Sequence, residues 1–379
     1  VLIVSCKPAT APAGGDAYRL DSLPLTYQPH SAVLTPAREA QISRIRRYFN
    51  RRHRNQGFNG TVLFAEHGEI IFSKAYGFAN FRTRDTLTLE SAFQLASVSK
   101  PITSLAVLSL VEEGKLSLED TIQKFIPDFP YHGISIRMLL SHRSGLPNYM
   151  YLADKVWPDR QIPLTNRDMV NILIKYHPER YYPPNHRYNY SNTNYALLAY
   201  LVEQVSGISF AEFVRLRIFK PLRMNNSSIY VKTGSLKNPQ PVKGYISYRR
   251  EADDTYLNGV VGDKGVYTSV IDLLRLDQAL YEGQPISFRM QKKAFTPQHK
   301  DLRIWDNYGL GWRLNLQDPH NPVIYHSGWW KGFRTCFIRE TGTGRTMIIL
   351  SNTLRGSRFG VQELRNLWDL PASRKNLSE

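Results

Sequence analysis

Residues 93–105 read FQLASVSKPITSL, with Ser97, Ser99 and Lys100 inside four positions. On a helix, side chains three or four apart share a face while those one or two apart do not, so Lys100 lies beside Ser97 and looks away from Ser99. Pro101 lacks an N–H and is tolerated only in a first helical turn, which places the helix start close to Ser97. From there ITSLAVLSLVEEG is apolar on nearly every side and closes at Gly114, the pattern of a buried helix with a C-terminal stop. A hydroxyl at the N-terminus of such a helix has unpaired backbone N–H groups and a positive dipole end beside it, where a developing oxyanion is stabilised. The same residues also suit a serine N-cap beside a solvated lysine, and Ser-x-x-Lys alone does not choose between the two.

The text on either side of this helix sets the fold class. TVLFAEHGEIIFSKAYGFA reads as two strands around a His-Gly turn. Near the other end, YGLGWRLN, VIYHSG and FRTCFIRETGTGRTMIILSN have the same texture, the last as a hairpin around a glycine-rich turn, and a helix VQELRNLW follows. Between them the chain is mainly helical, as in NYALLAYLVEQVSG and FAEFVRLRIF. The expectation is an α+β fold: one antiparallel sheet built from both chain ends, flanked by N- and C-terminal helices, with an inserted helical lobe. In residues this means a tether over 1–36, one catalytic domain over 37–370 with the lobe at roughly 115–290, and a tail over 371–379. The crevice between sheet and lobe is the expected site.

Composition narrows the setting. An apolar share of 42% in 379 residues supports a substantial core and argues against disorder. The leading VLIVSCKPATAPAGGDAYR resembles the end of a secretory signal followed by a tether, and Ile3-Val4-Ser5-Cys6 resembles a bacterial lipobox. The expectation is an exported chain, in the periplasm or cell envelope, tethered to a membrane through a lipidated Cys6. Cys336 lies in an apolar strand-like run, and no bridge or zinc spacing is available. Part of the +17 formal charge sits in SRIRRYFNRRHRNQ, where Ile42, Ile45 and Phe49 recur at helical spacing under an arginine-rich outer face. A solvated face or an anionic envelope surface explains that charge better than nucleic acid, whose binding modules are missing from the pattern.

Two further stretches carry chemistry. Tyr190-Ser191-Asn192 precedes a helical run, and in extended chain residues two apart point the same way, so Tyr190 and Asn192 reach one cleft; equally, Asn192 caps the helix and Tyr190 packs. His326-Ser327-Gly328 ends a strand-like run, where the glycine lets a substrate backbone approach, although a histidine in this place is often structural. Lys232-Thr233-Gly234 spells a tripeptide of penicillin-recognising enzymes but lies in a polar, proline-broken stretch and reads as a decoy.

Taken in chain order, Ser97-Val-Ser-Lys100, Tyr190-Ser-Asn192 and His326-Ser-Gly328 resemble the serine hydrolase family of class C β-lactamases, serine D-Ala-D-Ala carboxypeptidases and related esterases. The likeness runs from about Gly60 to Asn352 and includes EEGKLSLEDTIQKFIPDFP, IRMLLSHRSGLPNY and GDKGVYTSVIDLLRL. It implies a β-lactamase/transpeptidase-like fold and an acyl-enzyme at Ser97. Either Lys100 or Tyr190 is implied as base, and Asn192 holds Lys100 and the substrate amide. Ser327, Gly328 and Tyr149 line the substrate cleft in this reading, and the backbone N–H groups of Ser97 and Trp329 form the oxyanion hole. No metal or organic cofactor is implied.

The departures bear on substrate. His326 stands where familiar β-lactamases carry lysine, and as a partly charged group it weakens carboxylate attraction, so a D-Ala peptide or small ester is expected ahead of a β-lactam. Trp329 and Trp330 stand where many relatives have small residues and are expected to narrow or re-shape the cleft, while Asn185 replaces a common glycine without an evident role. A non-catalytic cell-wall peptide-binding module of the same fold, or a β-lactamase, is the alternative.

Overall fold

The computed structural model describes residues 35–230, 242–247, 250–252, 254–300, 302–303 and 306–369. Cys6, the 232–234 tripeptide and the tail beyond 369 lie outside the described residues. Seven antiparallel strands form the main sheet: β1 (Gly60–Glu66), β2 (Glu69–Tyr76), β3 (Asn307–Tyr308), β4 (Arg313–Asn315), β5 (Val323–Trp330), β6 (Phe333–Glu340) and β7 (Arg345–Ser351). Their order across the sheet is β3-β4-β5-β6-β7-β1-β2, so the first and last thirds of the chain meet where β1 pairs with β7.

The helices that frame it are α1 (Pro36–Gln56), α2 (Ser99–Glu112), α3 (Asn192–Ser206), α4 (Val270–Tyr281) and α5 (Val361–Trp368). Successive strand residues point to opposite faces, which explains why β1 and β7 are apolar without alternation. Val62, Phe64, Met347 and Ile349 pack with Ile45, Phe49, Leu364 and Trp368 of α1 and α5 on one face. Leu63, Ala65, Ile348 and Leu350 join the core of α2 and the helical lobe on the other. Helix α1 follows its expected pattern: Thr35 caps it, Pro36 opens it, Gly57 closes it at φ 78, and Ile45 and Phe49 face inward. Cys336, on β6, is buried and free, and burial pushes its thiol up to about 12, so it is an inert core group.

Helix α2 is buried from Ser99 to Leu110, as its uniform apolarity requires. A small second sheet pairs Phe93–Gln94 with Val266–Thr268 and sets the loop before Val266 against the start of α2. Helix α4 is tied to the main sheet by Asp277, whose carboxylate accepts from Arg339 Nε on β6 and from Thr346 Oγ1 on β7 at 2.6 Å. All three residues are essentially without solvent contact. Asp277→Ala leaves the Arg339 guanidinium buried without its counter-charge, and the expected loss is about 3–5 kcal/mol in chemical denaturation. A loss below about 1 kcal/mol would show that this bond does not tie α4 to the sheet.

Candidate active site

Ser97 stands in a single 3-10 turn, Ala96–Val98, that runs directly into α2. Ala96 takes φ 49, a left-handed conformation that costs an L-residue about 1–2 kcal/mol. Its neighbour Leu95 is clamped from both sides, its N–H donating to the Val266 carbonyl at 2.8 Å and its carbonyl accepting from Thr335 Oγ1 at 2.6 Å. The strain is therefore held by surrounding structure, as at many functional sites. A side chain at Gly328 would collide with the Leu95 carbonyl and the Ser97 amide, so β5 passes directly over this turn and only glycine fits. Ser97 and Lys100 meet as the helical spacing predicts, with Lys100 Nζ 3.0 Å from Ser97 Oγ.

Lys100 has no solvent exposure. Its Nζ also reaches Asn192 Oδ1 and the Asp263 carbonyl, each at 2.9 Å. Desolvation, the first cause, pushes the amine down to about 7; the Asp263 carboxylate opposes the shift and the Arg313 guanidinium adds to it. Tyr190 lies with its ring centroid 5.0 Å from Lys100 Nζ and its phenol beside the Ser97 side chain. Burial drives its phenol up from the ordinary tyrosine value, partly offset by Ser97 and by Arg313. Asn192 is the first residue of α3, after Ser191 at the cap position, and its side chain turns to Lys100 rather than to the helix end.

His326 comes to the same place, its ring centroid 6.4 Å from that of Tyr190. It is 1% exposed. Its Nδ1 contacts the Ser327 carbonyl at 2.9 Å. A carbonyl only accepts, so Nδ1 carries the hydrogen and Nε2 accepts from the Tyr308 hydroxyl at 3.1 Å. Desolvation first, then Arg313 and Lys100, holds the imidazole well below the usual histidine value. The expectation of a partly charged His326 is corrected: burial first, with the neighbouring Arg313 guanidinium, holds it on the neutral side. The solvent-reaching cation is Arg313 on β4, whose guanidinium lies 5.7 Å from the Tyr190 ring centroid and whose side chain is 29% exposed.

A sequence profile of the Beta-lactamase family matches residues 45–371. The chain belongs to the β-lactamase family. It is 38% identical over 311 residues to penicillin-binding protein 4* of Bacillus subtilis (strain 168), an alignment covering 78% of this chain and 68% of that protein. To the D-aminopeptidase of Brucella anthropi it is 26% identical over 280 residues, covering 74% of this chain and 53% of that one. The crystal structure of a penicillin binding protein from Bacillus halodurans superposes with a TM-score of 0.72 at 25% identity, covering 86% of this chain and 97% of that one. The α+β fold is thus that of penicillin-binding proteins and β-lactamases, and the chain is a serine hydrolase of this family.

Other residues named from the family likeness fall differently. Tyr149 does not line the cleft: it is wholly buried, its hydroxyl donating to Asp263 Oδ2 at 3.1 Å and accepting from Lys264 Nζ at 2.8 Å. The two tryptophans, expected to narrow or re-shape the cleft, are placed differently. Trp329 is 64% exposed, whereas Trp330 packs against the core with its indole N–H on Asn258 Oδ1 at 2.8 Å. Alternation along β5 sends the two rings to opposite faces. Ser327 is exposed on the same strand. Asn185, left without a role by the sequence, has φ 61 and accepts from Arg143 Nε at 2.7 Å; a left-handed position suits glycine or asparagine.

Sequence reasoning missed Arg313, Tyr308, Asp263, Lys264 and His142. The ring of His142 lies 4.3 Å from that of Tyr190, and its Nδ1 accepts from the Ser191 N–H at 3.2 Å. Burial, then Lys100 and His326, keeps it well below the usual histidine value. Its place inside IRMLLSHRSGLP, and the charged pair inside the apolar run of GVVGDKGVY, were the available signals. The ring nitrogens of His142 and His326 are expected to keep neutral-imidazole 15N shifts between about pH 5.5 and 8, apart from the small displacement imposed by protonation of Lys100 near 7, when followed by NMR with each assigned by substitution. A His326 titration centred near neutrality would show that the imidazole is not desolvated as described.

Proposed function

We propose that Ser97 is the nucleophile of an acyl-enzyme mechanism, with Lys100 as the base that activates it, on substrates ending in a carboxylate such as a D-Ala peptide, or on small esters. The observation that carries this reading is the hydrogen-bonding of Lys100. A neutral amine has two hydrogens and one lone pair. With its hydrogens given to Asn192 Oδ1 and the Asp263 carbonyl, its lone pair is left facing the Ser97 hydroxyl at 3.0 Å. An amine held near 7 is substantially neutral at working pH, whereas burial raises the Tyr190 phenol and argues against phenolate. Lys100 is thus favoured over Tyr190 for the first proton.

The reaction then follows. Ser97 Oγ attacks the carbonyl carbon as its proton passes to Lys100 Nζ, and the oxyanion is met by the N–H groups of Ser97 and Trp329. Tyr190, beside Ser97 and with its ring against the new ammonium, relays a proton to the leaving amine or alcohol. Water opens the acyl-enzyme with Lys100 again as base, and Ser97 recovers its proton. His326 contributes shape and orientation rather than charge, because both ring nitrogens are committed.

Substrate recognition rests on β5 and Arg313. Pairing of β5 with β4 ends at Tyr325, so from His326 onward that edge of β5 opens to the cleft and suits an extended peptide. Arg313, at the end of this pairing, offers a carboxylate the positive charge that a lysine supplies in familiar β-lactamases. The likeness to a penicillin-binding protein and to a D-aminopeptidase supports a peptide with D-residues. Action outside the cytoplasm remains part of this reading and rests on the leading apolar run and Cys6.

Fluorophosphonate labelling is expected in the wild type and not in Ser97→Ala, whose turnover of a chromogenic ester falls at least about 10³-fold. Equal labelling of both removes Ser97 from its role. The rate on that ester is expected to fall as pH drops through about 7, where Lys100 gains a proton. Because Lys100 is neutral above that value, the activity is present above it and lost below. Measured well above that limb, Arg313→Gln should raise KM for a D-Ala-D-Ala peptide about 10- to 100-fold and leave a neutral ester little changed; equal effects on both would end the carboxylate assignment.

A further inference from the structure

Behind Lys100 lies a second charged group that the mechanism does not use. Gly262 and Gly265, both at φ 99, bracket Asp263 and Lys264 in a tight turn closed by Gly262 N–H to the Lys264 carbonyl at 3.0 Å. A Cβ on Gly262 would strike the Tyr195 carbonyl and Ala199, so this loop is pressed against α3 and its two charged side chains turn inward. Asp263 is 1% exposed and Lys264 3%. Lys264 Nζ donates to Tyr149 Oη at 2.8 Å and to the Val260 carbonyl at 3.0 Å, and lies 3.4 Å from Asp263 Oδ1. It also sits 5.2 Å from the ring centroid of Trp330, the residue after the proposed oxyanion donor. Asp263 meanwhile gives its backbone carbonyl to Lys100.

An ion pair this deeply buried is a poor device for stability alone, since desolvating both charges offsets most of their attraction. Its position against Lys100 gives it another use. We propose that Asp263 and Lys264, pinned by Tyr149, are positioning residues that set the proton affinity of Lys100 from opposite sides. The inference rests on Lys100 serving as base.

Among the described residues, the other ionisable groups beside Lys100 come from several elements. His142, from the loop after the helix Ile136–Leu140, and His326, from β5, are held neutral by burial. Tyr190 and Tyr195 keep their protons for the same reason. Asn192 is uncharged, which leaves Arg313 from β4 and the Asp263–Lys264 pair. Asp263 favours the charged form of Lys100, and Arg313 opposes it. Lys100 disfavours the charged form of Lys264, and because Coulombic repulsion is reciprocal a charged Lys264 disfavours that of Lys100. In a desolvated interior, removing one full charge that acts on an amine displaces its titration by about one pH unit.

The test is the pH dependence of kcat/KM on a neutral chromogenic ester, using the full chain and single variants. Asp263→Asn should move the acid limb to a pH about tenfold richer in protons, because Lys100 loses its supporting anion, and Lys264→Met should move it about as far the other way. Lys264→Arg keeps the charge and should restore the wild-type limb. Thermal melting identifies variants that do not fold; Lys264→Gln replaces Lys264→Met in that case, and the sign in Asp263→Asn is the decisive one, because loosening would rehydrate Lys100 and move that limb the other way. Limbs that stay in place, or that move the same way in both variants as general loosening would produce, overturn the proposal. A wild type whose labelling needs Ser97 but whose rate shows no limb near 7 overturns the assignment of Lys100 as base, and this inference with it.

Discussion

A lysine amine without solvent contact, surrounded by three oxygens from three distant parts of the chain, is the constraint on which the rest of this structure depends. Ser97 comes from the start of α2, Asn192 from the start of α3 and the Asp263 carbonyl from the loop before Val266. A buried ammonium or amine with any of these acceptors missing carries the cost of an unpaired polar group. The helical lobe and the strands beside Ser97 must therefore close on Lys100 together. Desolvation then makes a side chain that is charged almost everywhere else available as a base. Burial of a charge, normally a burden on folding, is here the source of reactivity.

The charge balance around that amine is sparse. Two imidazoles lie close by, yet neither adds charge, because both are desolvated and stand near cations. Arg313 is the cation proposed to meet a substrate carboxylate, and it also depresses the amine behind it. A substrate carboxylate seated on Arg313 would cancel part of that depression, so binding and basicity are coupled through one guanidinium.

What could be read from the sequence was whatever local periodicity controls. The three-residue spacing of Ser97 and Lys100, the alternating reach of Tyr190 and Asn192, and the His-Gly and Thr-Gly-Thr-Gly hairpins all follow from one stretch of chain at a time. The uniformly apolar text of β1 and β7 is consistent with a sheet covered on both faces. Arg313 and Tyr308 escaped notice because their relation to His326 exists only through strand register, one and two strands away in the sheet. Tyr149 was misplaced for a related reason: its sequence neighbours border the cleft, while its own ring turns to Asp263 and Lys264. The charge on His326 was misjudged because burial, unlike residue type, is a property of the assembled fold.

The pairing of β1 with β7 has a consequence for how the molecule comes into being. Glu66 and Arg345, bonded across these strands, are 279 residues apart, and loop-closure entropy makes such distant pairing slow. The floor beneath Ser97 therefore cannot form until β7 has been made. Until the C-terminal hairpin arrives, β1 lacks a partner along one edge, and the nascent polypeptide remains open and inactive. Synthesis is thereby separated in time from hydrolytic competence.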